Sequence, residues 1–324
     1  MTLPIVGVLH WLRPLGAAGL LALLAVPGVA TAQSRQATRV DTTVAFDKNG
    51  TVDLSLISGE IVVTAWNRAE ARVQASIEGG GVIRYEISRG QISLRVDSDG
   101  DSRRSGRDRN VGEARYELMV PVGTRVEASG VSGDVTVRGT RAAVEVSSVS
   151  GNVEVTDVAS RASVNSVSGD VTARGIAGDA RVRSVSGDVT ASDVQGDLRA
   201  ESVSGELQLL NVRSSSVSAK TVSGEIAFSG PLSADGRYEF NSHSGDIVLR
   251  LPDGTNANLS VETYSGELES DFPVTMQPTS RDRGPRRRRM EFSLGSGGAT
   301  VAAQTFSGNI ILDRATGRAP TPKD

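Results

Sequence analysis

The chain lacks cysteine and is poor in aromatic residues. With no Cys among 324 residues, disulfides, thiolate metal sites, Cys nucleophiles and a lipidated N-terminal Cys are all excluded. Six Phe, four Tyr and two Trp cannot fill a conventional core in a chain of this length. The interior must therefore consist mainly of small and branched residues, chiefly Val and Ala. This composition favours a thin, elongated fold over a thick globule.

Neither sign of charge is in large excess, and histidine is almost absent. The formal net charge is −3, which argues against nucleic acid as a partner because phosphate binding needs a basic surface. Beyond residue 32 the only His is His243, inside a Ser-His-Ser-Gly-Asp turn. A catalytic triad draws its members from separate segments, and no His/Cys metal cluster is present. We therefore expect a protein that is not an enzyme and holds no cofactor.

Residues 1–32 have the pattern of a secretory signal peptide. Arg13 precedes an apolar run from Leu15 to Val29, and Ala30-Thr31-Ala32 forms a cleavage site before Gln33. A membrane anchor is the alternative, but the apolar run is short for a span and ends in small residues. We expect an exported protein that is periplasmic, extracellular or associated with the outer membrane.

A tetrad of the form Ser-Gly-(Asp/Glu/Asn)-(Val/Ile/Leu) recurs along the chain from Gly59 onward. From Gly133 the glycine spacings are 18, 18, 18, 18, 19, 21, 21 and then 42. The last spacing is interpreted as two steps of 21, with one copy degraded or replaced by an insertion. We predict that these glycines form one structural column of turns: Gly133, Gly151, Gly169, Gly187, Gly205, Gly224, Gly245, Gly266 and Gly308.

The repeat has a half-period of nine residues, since Gly178 and Gly196 each follow a tetrad glycine by nine. Apolar residues recur in steps of 4, 2 and 3, where the step of 2 is typical of a strand and the others cross a turn. Each nonapeptide is then one short strand and one tight turn. The sequence predicts an all-β protein, a single-stranded parallel β-solenoid of 18–21 residues per coil. Two faces are expected, with three left open for the longer coils.

The solenoid is expected to span residues 127–313, with about nine or ten coils stacked at roughly 4.8 Å into a rod on the order of 45 Å long. Residues 39–126 alternate strongly and are interpreted as an irregular N-terminal β cap or first coils, with a mobile loop at 97–112. A basic insertion is placed at about 270–298. Residues 314–324 are expected to be a disordered tail.

Stacking turns repeat positions into columns. One column carries the acid or amide of each tetrad, which we expect to cap its own turn by accepting backbone N–H bonds. Binding of calcium between coils is the alternative. Ser and Thr columns beside the glycine are expected to bond along the stack. A further column is taken as interior and grows from Val to larger residues as the coils widen: Val149, Val167, Val185, Val203, Val222, His243, Tyr264 and Phe306.

The insertion contains a cluster of arginines whose last four are consecutive: Arg286, Arg287, Arg288 and Arg289. A solvated hairpin or loop is the simplest interpretation. The functional alternative is contact with an anionic ligand, with anionic lipid, lipopolysaccharide or an acidic glycan as candidates. Asp282 and Glu291 dilute the local charge.

The repeated Val-Ser-Gly-Asp-Val units, the opening segment from Ile57 to Trp66 and the segment Val120-Pro121-Val122-Gly123 resemble the bacterial putative-adhesin domain family. The resemblance covers about residues 40–313. It implies an exported cell-envelope β-solenoid, akin to autotransporter-adhesin head domains, with no catalytic residues to transfer. A structural or binding module for a glycan or protein partner is the first functional hypothesis. A polysaccharide-acting β-helix enzyme and a calcium-stabilised β-roll-like rod are the alternatives.

Overall fold

The computed structural model describes residues 35–97, 112–273, 275–276 and 288–315, which contain strands, turns and bends but no helix. Residues Ala32–Asp324 form one compact unit. A search of the described residues found no helix with the length and hydropathy needed to cross a membrane. The predicted leader, nearly all of the predicted loop at 97–112 and the chain beyond residue 315 lie outside the described residues.

Seven strands precede the regular repeat. They are β1 (Arg35–Ala37), β2 (Arg39–Ala45), β3 (Thr51–Trp66), β4 (Glu70–Glu78), β5 (Val82–Ile87), β6 (Gln91–Asp97) and β7 (Glu113–Pro121). The first half of β3 pairs with β6, and its second half pairs with β7, both in parallel. Strands β5 and β4 then continue these two pairings in antiparallel fashion. This region therefore extends both sheets of the repeat at its N-terminal end.

The regular repeat occupies the middle of the chain. Its strands are β8 (Arg125–Arg138), β9 (Val144–Ser150), β10 (Val153–Val158), β11 (Ala162–Ser168), β12 (Val171–Ile176), β13 (Ala180–Arg183), β14 (Val189–Ser192), β15 (Leu198–Glu201) and β16 (Leu207–Leu210). Val153 pairs in parallel with Val171, and Ala162 pairs with Ala180, so each partner lies one 18-residue repeat further along the chain. This register confirms the predicted parallel β-solenoid.

The remaining strands are β17 (Ser216–Ser223), β18 (Ile226–Ser229), β19 (Arg237–Ser244), β20 (Ile247–Leu251), β21 (Ala257–Ser265), β22 (Leu268–Ser270), β23 (Thr275–Met276), β24 (Arg288–Leu294), β25 (Ala299–Ser307) and β26 (Ile310–Arg314). The larger coils also have two strands each, with the extra residues in the connecting turns. Each coil therefore contributes one strand to sheet A, beginning with β9, and one to sheet B, beginning with β10. Strands β3 and β8 run through both sheets.

Alternate residues of both sheets point inward and form one core. Val146 of sheet A and Val155 of sheet B are both fully buried. Small and branched side chains fill the narrow space between the sheets. In the larger coils Phe228, Tyr238 and Phe240 fill this space, and their rings pack edge-on or tilted. The scarcity of aromatic residues thus follows from the thinness of the interior.

The last coil does not lie where its place in the sequence suggests. Strand β25 lies between β19 and β21, so that Val301 pairs with Tyr238 on one side and with Leu259 on the other. Strand β26 lies in the same way between β20 and β22. The 42-residue spacing includes strand β24, which pairs antiparallel with β21, and the coil that follows it lies between the two coils that precede it in sequence. The chain completes the Gly245 coil, then the Gly266 coil one place further along, and finally returns so that the Gly308 coil fills the place between them.

A glycine-rich turn makes this return feasible. Strand β24 pairs antiparallel with β21 on the side opposite to β25. Between β24 and β25 the residues Gly295, Gly297 and Gly298 all have positive φ angles of 56°, 78° and 144°. Such angles suit glycine because it lacks a Cβ atom. They allow the backbone to cross from one side of β21 to the other within a few residues.

Candidate functional site

The repeated glycines pack backbone against backbone at one edge of the solenoid. Gly169 has a φ of 124°, and a Cβ atom placed on it would lie 2.3 Å from the carbonyl oxygen of Gly151. The same close approach recurs at Gly151 against Gly133 and at Gly187 against Gly169. Only glycine allows the chain to bend this sharply and the coils to stack this closely. This edge positions every column described below.

The acid or amide that follows each glycine forms a ladder, here named the turn-acid ladder. Its members in spatial order are Glu60, Asp134, Asn152, Asp170, Asp188, Glu206, Glu225, Asp246, Asn309 and Glu267. The Asp170 Oδ1 atom accepts a hydrogen bond from the Asp188 N–H at 2.9 Å, and Asn152 Oδ1 accepts one from the Asp170 N–H at 3.0 Å. The Asp and Asn members of the ladder therefore cap the turn of the next coil. The expectation that each caps its own turn is wrong, because stacking brings the next backbone N–H within reach.

The inserted C-terminal coil continues this ladder. The Asn309 N–H donates to Asp246 Oδ1 at 2.7 Å, and Asn309 Oδ1 accepts from the Glu267 N–H at 3.0 Å. Asp and Asn serve equally as acceptors at these positions. Among the described residues no group of three or more His, Cys, Asp or Glu side chains converges as a metal site would require. The carboxylates are arranged singly, one for each coil, along the edge.

The Ser and Thr residues that stand three positions before each tetrad glycine form a buried column, and its hydrogen bonds differ from the prediction. Thr305 and Thr263 donate to glycine carbonyls of the neighbouring coil, Gly245 and Gly308, at 3.1 and 3.2 Å. In the smaller coils, however, the corresponding hydroxyls are buried without a hydrogen-bond partner: Ser148, Ser166, Ser184, Ser202 and Thr221. Bonding along the stack therefore holds only in the larger coils. In the smaller coils these serines act as small space-filling residues.

The column predicted to be interior lies on the outer surface of sheet A, so that expectation is wrong. We name it the apolar ridge; in spatial order it consists of Ile57, Val131, Val149, Val167, Val185, Val203, Val222, His243, Phe306 and Tyr264. Its nine apolar side chains are 40–49% exposed. In β9 the residues Val144, Val146 and Ser148 point inward, so strand alternation turns Val149 outward. In the sequence, Ser148 falls on the same alternate positions as Val144 and Val146, and this pattern was the signal that Val149 points outward.

Three ring side chains continue the ridge at its C-terminal end. The rings of His243 and Phe306 stack with centroids 5.0 Å apart, and those of Phe306 and Tyr264 stack at 4.7 Å. Phe306 comes from the inserted coil and occupies the middle of the stack. His243 therefore has a packing role at the surface. A groove of about 350 Å³ runs beside these rings and is lined by Asn241 and Gln304 among others.

A second groove lies beside the ridge at its N-terminal end. It has a volume of about 410 Å³, crosses four coils from Leu56 to Val167, and passes over Gly130. Gly130 occupies the inward-facing column that holds Ser148 in the next coil, and a Cβ atom placed on it would face the core side chains of Leu56 and Val135. Further along, Arg183 and Glu201 form an ion pair at 2.9 Å across the same strip. These longer side chains cover the sheet between the two grooves.

Ion pairs on the outer face of sheet A remain exposed. The Lys220 ammonium group lies 3.0 Å from Glu239, and this hydrogen bond holds the pKa of the Glu239 carboxyl below its usual range. Burial raises the pKa of the Tyr116 hydroxyl, which lies in the core of the cap. Pairing with Lys220 accounts for the lowered pKa of Glu239, and burial accounts for the raised pKa of Tyr116.

The predicted arginine contact is only partly described. Arg286 and Arg287 lie outside the described residues, and for Arg288 only the backbone position in β24 is described. Arg289 Nη2 pairs with Glu291 at 3.1 Å. This pairing reduces the charge that Arg289 offers to an anion. The predicted four-arginine contact therefore lies largely outside the described residues.

Comparison with known proteins gives no match among curated proteins. Solved structures similar to this chain include a "putative adhesin" from Bacteroides fragilis (15% identity, 85% of this chain and 96% of that chain covered, TM-score 0.41). A "putative cell adhesion protein" from Clostridium sporogenes shares 10% identity over 85% of this chain and 99% of its own, with a TM-score of 0.24. A "putative lipid binding protein" from Parabacteroides distasonis shares 12% identity over 86% and 97%, with a TM-score of 0.47.

A family model covers nearly the whole repeat and most of the cap. The matched residues, 49–313, contain every tetrad glycine and every member of the turn-acid ladder and the apolar ridge. The stacked parallel coils, the glycine edge and this match agree with one another, and the chain belongs to the Toastrack DUF4097 family.

Proposed function

We propose that this chain is an exported, adhesin-like module that binds an extended partner in the cell envelope and catalyses no reaction. The observation that carries the proposal is the apolar ridge, which presents one exposed apolar or ring side chain for each coil along sheet A. Soluble proteins seldom expose a contiguous apolar strip of this kind unless it contacts a partner. Its repeated geometry, with one side chain for each coil, suits a partner that is itself extended.

The arrangement of the acids supports binding over catalysis. Glycoside hydrolysis needs two carboxyl groups that face each other across a substrate bond. Here the acids of the turn-acid ladder follow the repeat, and several accept backbone N–H bonds from the next coil. A polysaccharide-acting enzyme would need acids that depart from the repeat within one groove. The longer groove passes Ser129, Ser147 and Asn165 and has no acid in its lining.

The location of the protein follows from the leader sequence. Arg13, the apolar run that begins at Leu15 and the Ala30-Thr31-Ala32 cleavage site support export. We propose a periplasmic or outer-surface location. Cell fractionation with an antibody against the mature chain tests this placement, and retention in the cytoplasm would contradict it.

A crosslinking pull-down from intact envelope tests the binding function. We expect the native protein to capture a partner that is lost when Val149 and Val167 are both changed to Asp. Thr172→Asp, on the outer face of sheet B, is the matched control and is expected to keep the partner. Equal capture by all three proteins would contradict the proposal. Release of reducing ends from a captured polysaccharide would show instead that the protein is an enzyme.

A basic contact is a second, separate hypothesis. The consecutive residues Arg286–Arg289 suit an anionic lipid or lipopolysaccharide electrostatically, although Arg289 already pairs with Glu291. Deleting these four residues is expected to weaken binding to vesicles of anionic phospholipid at low salt. Unchanged binding at low salt would refute this contact.

A further inference from the structure

The apolar ridge is bordered on both sides by polar columns. On the glycine side lie an exposed serine column, which includes Ser150 and Ser168, and then the turn-acid ladder. On the other side, next to the longer groove, lie Ser129, Ser147 and Asn165. Beyond these lie Glu145, which is exposed, and Glu127, which is half-buried and 3.9 Å from Arg125. Arg181 and Arg199 follow further along the same column. The ridge is thus one apolar side chain wide, between hydroxyl, amide and carboxylate groups.

This width bears on the kind of partner that fits. A protein partner that binds stably covers about 800 Å² on each side, with an apolar centre several residues wide. An added β-strand needs free backbone groups, but the strands of sheet A between β8 and β25 are paired on both sides. A row of sugar rings needs only a narrow apolar strip for its C–H faces and polar groups on either side for its hydroxyls.

The spacing between neighbouring ridge residues also favours a row of sugar rings as the partner. Neighbouring ridge residues such as Val149 and Val167 belong to strands one step apart in a parallel sheet, which is about 4.8 Å. One unit of an extended linear glycan has a similar length. A glycan lying along the solenoid axis could therefore repeat the same contacts from coil to coil. No adjustment of the protein backbone would be needed.

The charges beside the ridge select among glycans. Asp134, Asp170 and Asp188 are exposed on one side, and Glu145 is exposed on the other, where Glu127 is half-buried beside Arg125. Beside the longer groove, an anionic polymer would be repelled by the turn-acid ladder and by Glu145, whereas amino groups would be attracted. The turn-acid ladder also opposes adsorption of this edge to an anionic lipid surface.

We infer that the apolar ridge binds a linear glycan that carries amino groups, with the glycan axis parallel to the solenoid axis. The longer groove, from Leu56 to Val167, is the open part of this site, because small polar side chains leave it uncovered. This inference rests on the proposed function and names the chemical class of the extended partner.

Calorimetric titration of the exported protein tests the inference with hexasaccharides of three charges. We expect glucosamine hexasaccharide to bind most tightly, N-acetylglucosamine hexasaccharide more weakly and galacturonic acid hexasaccharide not at all. Equal or tighter binding of the uronic acid would overturn the inference. So would the absence of binding by both amino-sugar probes.

Two matched variants assign the binding to these residues. Val149→Thr with Val167→Thr keeps side-chain shape and should lower the association constant for both amino-sugar probes about tenfold, since apolar contacts are lost. Asp170→Asn with Asp188→Asn keeps the hydrogen-bond ladder, as Asn152 already does. It should weaken only the cationic probe, and only at low salt. Thr172→Val on sheet B is the control and should change neither affinity.

The outcomes separate this inference from the function on which it rests. If the ridge variants abolish capture of an envelope protein while no glycan binds, the glycan inference falls and the binding function stands. If sedimentation shows that Val149→Thr with Val167→Thr only abolishes self-association, the ridge joins two copies of this chain and the inference falls. If the ridge variants change neither capture nor titration, both proposals fall.

Discussion

At the scale of single residues, each glycine carbonyl of the turn column restricts which residue can occupy the corresponding position in the next coil. The Gly151 oxygen lies where a Cβ on Gly169 would have to be, and Gly169 also has a positive φ. Two independent penalties therefore act on any larger residue. One is steric contact with a neighbouring backbone, and the other is the backbone conformation itself.

Gly169→Ala should lower the free energy of unfolding by about 3 kcal/mol, since strain in φ costs 1–2 kcal/mol and the contact must also be relieved. Gly254→Ala is the matched control, because Gly254 has a positive φ of 76° and no atom within 4 Å of an added Cβ. It should cost only about 1 kcal/mol. Urea unfolding of both variants measures the difference. Equal costs would mean that the coils are not packed as closely as described.

Asp170 illustrates a side chain whose acceptor atom matters more to the fold than its charge. Asp170→Ala removes the acceptor of the Asp188 N–H and should cost about 1 kcal/mol of stability. Asp170→Asn keeps that acceptor and should be neutral, or slightly stabilising at low salt because like charges in the ladder repel. Thermal unfolding at low and high salt distinguishes these effects. A large loss with Asn would show that the charge itself is needed.

At the scale of elements, the inserted coil of β25 and β26 is the most consequential feature. Both strands are paired on two sides, and Ile310 and Leu312 are fully buried. The coil that the chain forms last therefore lies inside the stack. The coils do not stack in the order of the sequence, because the inner neighbour of the Gly266 coil is the Gly308 coil, which follows it in the chain.

A chain that ends at residue 298 should retain the smaller coils but leave a slot one coil wide between β19 and β21. We expect a lower melting temperature for its C-terminal part and binding of a peptide with the sequence of residues 299–315. The same peptide with Gly308→Ala is the control. It should bind poorly, because the added Cβ would lie 2.2 Å from the Gly245 oxygen. Full stability of the shortened chain would contradict the inserted position of the coil.

At the scale of the whole molecule, stability comes from stacking between neighbouring coils. No single coil can bury its own apolar face, so the core exists only in the assembled solenoid. The acids contribute as hydrogen-bond acceptors spaced one for each coil. We therefore expect the melting temperature to be the same with EDTA and with millimolar calcium. A large increase with calcium would favour the calcium-stabilised rod, and the turn-acid ladder would have to be the site.

The repeat itself was predictable because steric rules act locally. The spacing of Gly133, Gly151 and Gly169 predicted the coil length, and the step of two predicted strands. The direction of the Val149 side chain was misjudged because a valine is compatible with either surface. Val144, Val146 and Ser148 are the inward positions of β9, so the alternation of the strand places Val149 on the outside.

The sequence alone determined that this protein is a parallel β-solenoid with a glycine edge, because backbone sterics and strand alternation depend on near neighbours in the chain. Only the tertiary structure decided that the last coil lies between two earlier ones. It also decided that the turn acids cap the next coil and that the ring side chains of His243, Phe306 and Tyr264 stack in that order. The physical reason is that these contacts join residues far apart in sequence, and spacing along the chain does not specify which coils become neighbours.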